Sequence, residues 1–129
     1  MKVAAGVLFA VVLALAVPVR PILTAQQPQA VSIVQLIANP AAYDGKVVQV
    51  FGFVRFEFEG SAVYLHQDDY RHSLYKNGLW LSMKEQKELD QNYALIEGVF
   101  NARNRGHLGL WSGSIEKVSR SLLWPPKRP

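Results

Sequence analysis

The run from Val47 to Phe58 constrains the fold more than any other part of this chain. Taken as a strand, it places Val48, Val50, Gly52, Val54 and Phe56 on one face and Val47, Gln49, Phe51, Phe53 and Arg55 on the other, because successive side chains alternate. Both faces are largely apolar, so neither is suited to water. A strand buried on both sides and broken by a glycine fits a small closed barrel, in which one strand must bend to serve two sheets. The turn Tyr43-Asp44-Gly45-Lys46 launches it, with Gly45 free to take a positive φ.

The other runs agree with that reading. Ala62 to His66 follows the turn Glu59-Gly60-Ser61, and Leu79 to Met83 reads as a third strand. Tyr93 to Phe100 is a fourth, interrupted by Gly98 much as Gly52 interrupts the first. A polar loop from Asn101 to Gly106 leads to the last, His107 to Val118. Ser32 and Gln35 have capping-box spacing, predicting a helix to about Ala38 with Ile33, Leu36 and Ile37 on one side, ended by Asn39-Pro40. Ser82 and Glu85 repeat that spacing ahead of good helix formers, predicting a second helix over Lys84 to Asp90. The expected fold is therefore all-β with minor α: a five-stranded OB-fold-type barrel with a short helix before strand one and another between strands three and four.

Ahead of this domain, Val3 to Val19 carries no charge and follows a lone Lys2. A short apolar stretch behind a basic residue, with Ala14-Leu15-Ala16 as a small-x-small pattern, reads as a secretory signal within residues 1–25. At about 1.5 Å per residue, Val3 to Val17 reaches only about 22 Å against a hydrocarbon core of about 30 Å. No stable membrane span is expected, and a retained N-terminal anchor is the alternative. Residues 26–30 form a linker, 31–121 the barrel and 122–129 an exposed, proline-rich basic tail. Export to the periplasm or beyond is the expected localisation. With no cysteine, disulfides and thiolate metal sites are excluded. Lys2 and Arg20 lie in the leader, so 12 of the 14 basic residues remain against 10 acidic ones, a balance of only +2. That is a weak drive towards nucleic acid.

The stretch Tyr43-Asp-Gly-Lys46-Val-Val-Gln-Val-Phe-Gly52-Phe-Val, with Ala94-Leu-Ile-Glu-Gly98-Val-Phe, resembles the paired glycine pattern of bacterial OB-fold proteins of the tRNA-anticodon-binding type. Tyr64-Leu-His66-Gln-Asp-Asp69-Tyr, Lys76-Asn-Gly-Leu-Trp80 and Gly106-His-Leu-Gly-Leu-Trp111-Ser-Gly are similar to small exported bacterial proteins of uncharacterised function. The resemblance covers about Val31 to Ser121. It implies the barrel, and it leaves the function open, because such barrels bind oligonucleotides, sugars and proteins on one scaffold.

Alternation along the second and third strands turns Trp80, Tyr64 and His66 outward, on the surface where OB barrels bind. Rings there stack on bases or sugars. Arg103 and Arg105, with His107, sit on the loop flanking that surface, and Arg55 or Arg71 would extend an anionic-ligand rim. Trp111, between Gly109 and Gly113, is expected to be structural. The leading expectation is a monomeric, non-catalytic binding module without a cofactor. Its ligand-binding residues are Tyr64, His66, Trp80, Arg103 and Arg105, and its partner is a protein, sugar or oligonucleotide. The alternative is a metal protein centred on His66, Asp69 and His72, since imidazole and carboxylate suit zinc. Oligonucleotide binding is a third. His66 beside Asp68 or Asp69 is the only acid–base pair suggested, and no nucleophile elbow or phosphate loop accompanies it.

Overall fold

The computed structural model describes residues 2–7, 15–22 and 24–126. The middle of the leader, residues 8–14, and the last part of the tail, 127–129, lie outside the described residues. Among the described residues no helix is long and apolar enough to cross a membrane.

The chain enters through β1 (Gln29–Ala30), then α1 (Ile33–Ala38) and a single turn, α2 (Pro40–Tyr43). The capping box forms as the spacing dictates. Ser32 Oγ accepts the Gln35 amide at 3.1 Å, and Gln35 Oε1 accepts the Ser32 amide at 2.8 Å. Asn39 ends α1, and Pro40 opens α2 from its first position, where its missing N–H costs nothing. Ile33 and Leu36 are buried, so α1 packs into the barrel core.

The barrel strands are β2 (Val47–Arg55), β3 (Ala62–Tyr64), β4 (Gly78–Leu81), β5 (Asn92–Asn101) and β6 (Ser114–Leu123). β2 pairs antiparallel with β5 from Val47 to Val54 and with β3 from Phe53 to Arg55. β3 continues to β4, β4 runs parallel to β6, and β6 returns antiparallel to β5. The five strands therefore close on themselves with OB-type connectivity. β1 adds a sixth strand, parallel to β2 at Val48 and Gln49, on the part of that edge β3 leaves bare.

Gly52 is where β2 turns from one set of neighbours to the other. A Cβ there would stand 2.5 Å from the Tyr64 carbonyl oxygen and 2.6 Å from Val63 Cγ2, so only glycine allows the strands to approach this closely. Inside, Val48, Val50, Val54, Val63, Leu79, Leu81, Ala94, Ile96, Phe100 and Ile115 form one cluster. The inward alternation of Val48, Val50 and Val54 is that expected from the sequence.

Several local expectations differ. The segment after β4 makes turns, not a helix, with the Leu89 and Asp90 amides donating to the Gln86 carbonyl. Between Lys84 and Asp90 only Leu89 is apolar, so a helix there would have no apolar stripe to bury. Leu89 instead drops into the core. Asp90 accepts both Arg55 Nη1, at 2.6 and 2.7 Å, and the Phe56 amide, at 2.8 Å. The additional helix, α3 (Gln67–Arg71), lies between β3 and β4. β6 begins at Ser114 instead of His107, because residues 107–113 fold over the barrel, and it runs to Leu123, past the expected boundary at 121. The Trp124 amide then donates to the Tyr93 carbonyl, holding the start of the tail against β5.

Candidate functional site

The outer surface of β3 and β4 carries a second, separate core. Phe53, Ala62, Tyr64 and Trp111 are its buried members, with Tyr70, Tyr75, Trp80 and Leu110 packed around them. The register pairs Ala62 with Trp80 and Tyr64 with Gly78, so Tyr64 and Trp80 both point out of the barrel as alternation requires. They do not meet solvent equally. Tyr64 is only 1% exposed, whereas Trp80 is half-buried.

The cover is the loop 102–113. It brings Trp111, 2% exposed, across the strands, where its ring meets Trp80 at 5.0 Å and Tyr75 at 5.3 Å, both edge-on. Trp111 Nε1 donates to the Tyr64 hydroxyl at 3.3 Å. Burial, partly offset by this hydrogen bond, pushes the Tyr64 phenol up to about 12. From the other side α3 brings Tyr70 against Tyr64 and Phe53, with ring centroids 5.7 and 6.0 Å apart. The expected exposed ring at Tyr64 is thus corrected. Its outward face is real, but the protein's own indole and phenol rings occupy it.

The covering loop is firmly built. Asn101 Oδ1 accepts the amides of Arg103 and Asn104, and Asn104 Oδ1 accepts the Gly106 amide. Glu116 Oε1 accepts from Asn104, Asn101 and Ser114 at 2.7, 3.1 and 3.0 Å. These bonds, the Asn104 one foremost, hold the Glu116 carboxyl below its usual range despite partial burial. Lys76 Nζ donates to the carbonyls of Gly109 and Trp111. Gly106 takes φ 70, and a Cβ there would lie 2.5 Å from the Trp80 ring, so glycine lets the loop rest directly on the indole.

Two apolar side chains stand free at the rim of this construction. Phe58, at the apex of the 56–61 turn, is 92% exposed, and Leu108, at the apex of the covering loop, is 80% exposed with φ 54. His107 Nε2 lies 3.3 Å from Glu59 Oε2, so the residues that follow Phe58 and precede Leu108 join the two loops. Trp80 borders a cleft shared with Glu57, Glu59, Ser61 and Lys84. The sequence places Phe58 at the end of the first strand and Leu108 near the start of the last, but those strands stop at Arg55 and begin at Ser114, which leaves both residues on loops. The available signals were a phenylalanine between two glutamates next to a glycine, and a leucine in Gly106-His-Leu-Gly109.

The remaining expected residues scatter. His66 is exposed at the start of α3, and its amide donates to Asp69 Oδ2 at 2.9 Å. Asp69 Oδ1 accepts from Asn77 Nδ2 at 2.8 Å, so both oxygens of that buried carboxylate are engaged in holding α3 and the following turn. His72 Nδ1 is 2.8 Å from the Asp68 carbonyl oxygen. His66, Asp69 and His72 therefore do not assemble a ligand set, and among the described residues no three His, Asp or Glu side chains converge to hold a metal ion. The same capping work removes Asp69 as an orienting partner for His66. Arg103 and Arg105 are exposed on the covering loop, and neither makes an ion pair among the described residues. Arg55 is committed inward to Asp90 and Glu57 and sits 5.1 Å from the Tyr70 ring, while Arg71 faces Asp68 at 3.6 Å. The arginine rim therefore reduces to Arg103 and Arg105. No protein-family model, no curated protein and no solved structure matches this chain.

Proposed function

We propose that this chain is a non-catalytic, exported binding module that docks a protein partner through Phe58 and Leu108. The observation that carries this reading is the pair of apolar side chains, 92% and 80% exposed, on loops joined by the His107–Glu59 contact. Burying a leucine or phenylalanine side chain is worth about 1.5–3 kcal/mol, so the pair offers a partner several kcal/mol. Little ordering cost opposes that gain, because Asn101, Asn104 and Lys76 already fix the Leu108 loop. Base stacking on the strand face is disfavoured, since Trp111 fills the place a base would take over Tyr64. The balance of only +2 beyond the leader, 12 basic against 10 acidic residues once Lys2 and Arg20 are set aside, weighs against nucleic acid in the same direction. The uncharged run Val3 to Val19 behind Lys2 supports export.

A photo-cross-linking amino acid placed at position 58 or 108 in the exported chain tests this. The same protein adduct is expected from both positions and not from Lys46, which lies on a different turn. With that partner purified, Phe58→Ala or Leu108→Ala should weaken binding roughly 10- to 100-fold. Adducts to an oligonucleotide or polysaccharide, or equal affinity for the variants, would refute the reading.

A further inference from the structure

β5 and β6 fall out of register once. Glu97 faces Arg120 and Val99 faces Glu116, leaving Gly98 opposite the stretch from Lys117 to Ser119. The surplus residues form a bulge in which Lys117 takes φ 47, a left-handed conformation that side chains other than glycine and asparagine rarely adopt. Gly98 makes room for it. A Cβ at that position would stand 2.6 Å from the Glu116 carbonyl oxygen and 2.7 Å from Ile115 Cγ2.

The bulge faces the turn that follows β4, and a cleft of about 450 Å³ opens between them. Lys84, Lys117 and Arg120 lie along its wall with Ser82, Ser119 and Ser121, and of the three hydroxyls that of Ser121 already donates to Gln86 Oε1 at 3.0 Å. No carboxylate lines it. Arg120 Nη1 is held 3.3 Å from Glu97, whose side chain is largely buried, so the guanidinium is anchored while about half of that side chain stays open to solvent. Strained backbone is retained where something over-determines it, and it concentrates at sites that bind. A lysine in the left-handed region, near an arginine, a second lysine and the Ser82 and Ser119 hydroxyls and with no acid in the wall, is arranged for a group with several anionic oxygens.

We propose that this cleft binds a phosphate-class oxyanion, with Lys117, Arg120 and Lys84 supplying charge-assisted hydrogen bonds and the Ser82 and Ser119 hydroxyls completing the shell. This site is independent of Phe58 and Leu108. Free phosphate species and lipid phosphate headgroups present the same oxygens, and the test separates these sources.

The full chain is titrated with inorganic pyrophosphate, against chloride at matched ionic strength, while amide resonances are followed. In parallel it is floated with phosphatidylglycerol and phosphatidylcholine vesicles. Saturable shifts at Lys117–Ser121 and at Ser82–Lys84 are expected with pyrophosphate if the ligand is soluble. Selective flotation with phosphatidylglycerol and no pyrophosphate shift identifies a headgroup instead. In either case Lys117→Gly combined with Arg120→Gln should weaken the interaction at least tenfold. Lys117→Gly alone keeps the bulge, because glycine accepts φ 47 without strain, so loss of binding in a folded protein is readable. Phe58→Ala should leave both arms unchanged. The proposal is overturned if neither probe engages the cleft, or if the double variant engages it as strongly as the unaltered protein.

Discussion

Replacing Trp111 by alanine should destabilise the domain severely while touching nothing in the barrel interior. The indole is 2% exposed, packs edge-on against Trp80 and Tyr75, and donates to the Tyr64 hydroxyl. Truncating a buried tryptophan costs about 3–5 kcal/mol in transfer and cavity terms. The orphaned Tyr64 hydroxyl adds about 1 kcal/mol unless water reaches it. Small domains have about 5–15 kcal/mol in all, so this change consumes a large share of it. At about 4–8 °C per kcal/mol for a domain of this size, Tm should fall by about 15 °C or more. Trp111→Phe keeps a ring against Trp80 but removes the Nε1 donor, and it should cost only about 1–2 kcal/mol. Urea unfolding followed by circular dichroism measures both, since the midpoint moves with stability while the slope reports exposed area. A Trp111→Ala midpoint within about 0.5 kcal/mol of the unaltered protein would refute the reasoning, because an exposed loop tryptophan behaves that way.

Other outcomes follow from the same geometry. Tyr64 ionises near 12 in the fold against about 10 when unfolded, so the unfolded chain loses its proton first. Stability should be intact below pH 10 and fall between about pH 10 and 12, and Tyr64→Phe should flatten that fall; an unchanged slope in the variant would count against the buried phenol. Asp90 is held below the usual carboxylate range: partial burial would raise it, and the Phe56 amide and Arg55 outweigh that effect. Asp90→Asn should therefore cost about 1–3 kcal/mol at neutral pH, a difference that shrinks as acid protonates the native carboxylate; a cost independent of pH would contradict the ion pair. Gly98→Ala forces a methyl to 2.6 Å from the Glu116 carbonyl oxygen, and a loss of about 2 kcal/mol or more in urea is expected, whereas a neutral result would show that the bulge yields freely.

The barrel was legible because its signal is periodic. Val48, Val50 and Val54 face inward as their spacing dictates, and Gly52 marks the close approach to β3. Ser32 and Gln35 announced α1 through chemistry local to a single turn. The same local signal misled at Ser82 and Glu85, where the lone Leu89 gains more by entering the core than the turn would gain as a helix. The candidate site was half legible. Trp80 and Tyr64 do point outward, but their exposure depended on where Trp111 would come to rest, and a tryptophan set among glycines has no period from which to place it. The covering is a tertiary event, sealed by contacts such as Lys76 Nζ to the Trp111 carbonyl across distant parts of the chain. The His66, Asp69 and His72 group failed for a related reason. Nearness in sequence put them together, while the Asp69 carboxylate was needed for the His66 amide and Asn77.

Photochemically induced nuclear polarisation with a flavin dye reads which tyrosine and tryptophan rings solvent can reach, and it tests most directly whether the protein's own loop fills the strand face. Signals are expected from Trp124 and Tyr93, which are 44% and 42% exposed, with Tyr64 and Trp111 silent. Strong polarisation at Tyr64 and Trp111 in the free, folded protein would contradict the account, for the rings would then be open to a ligand and the loop tips would lose their claim to the partner.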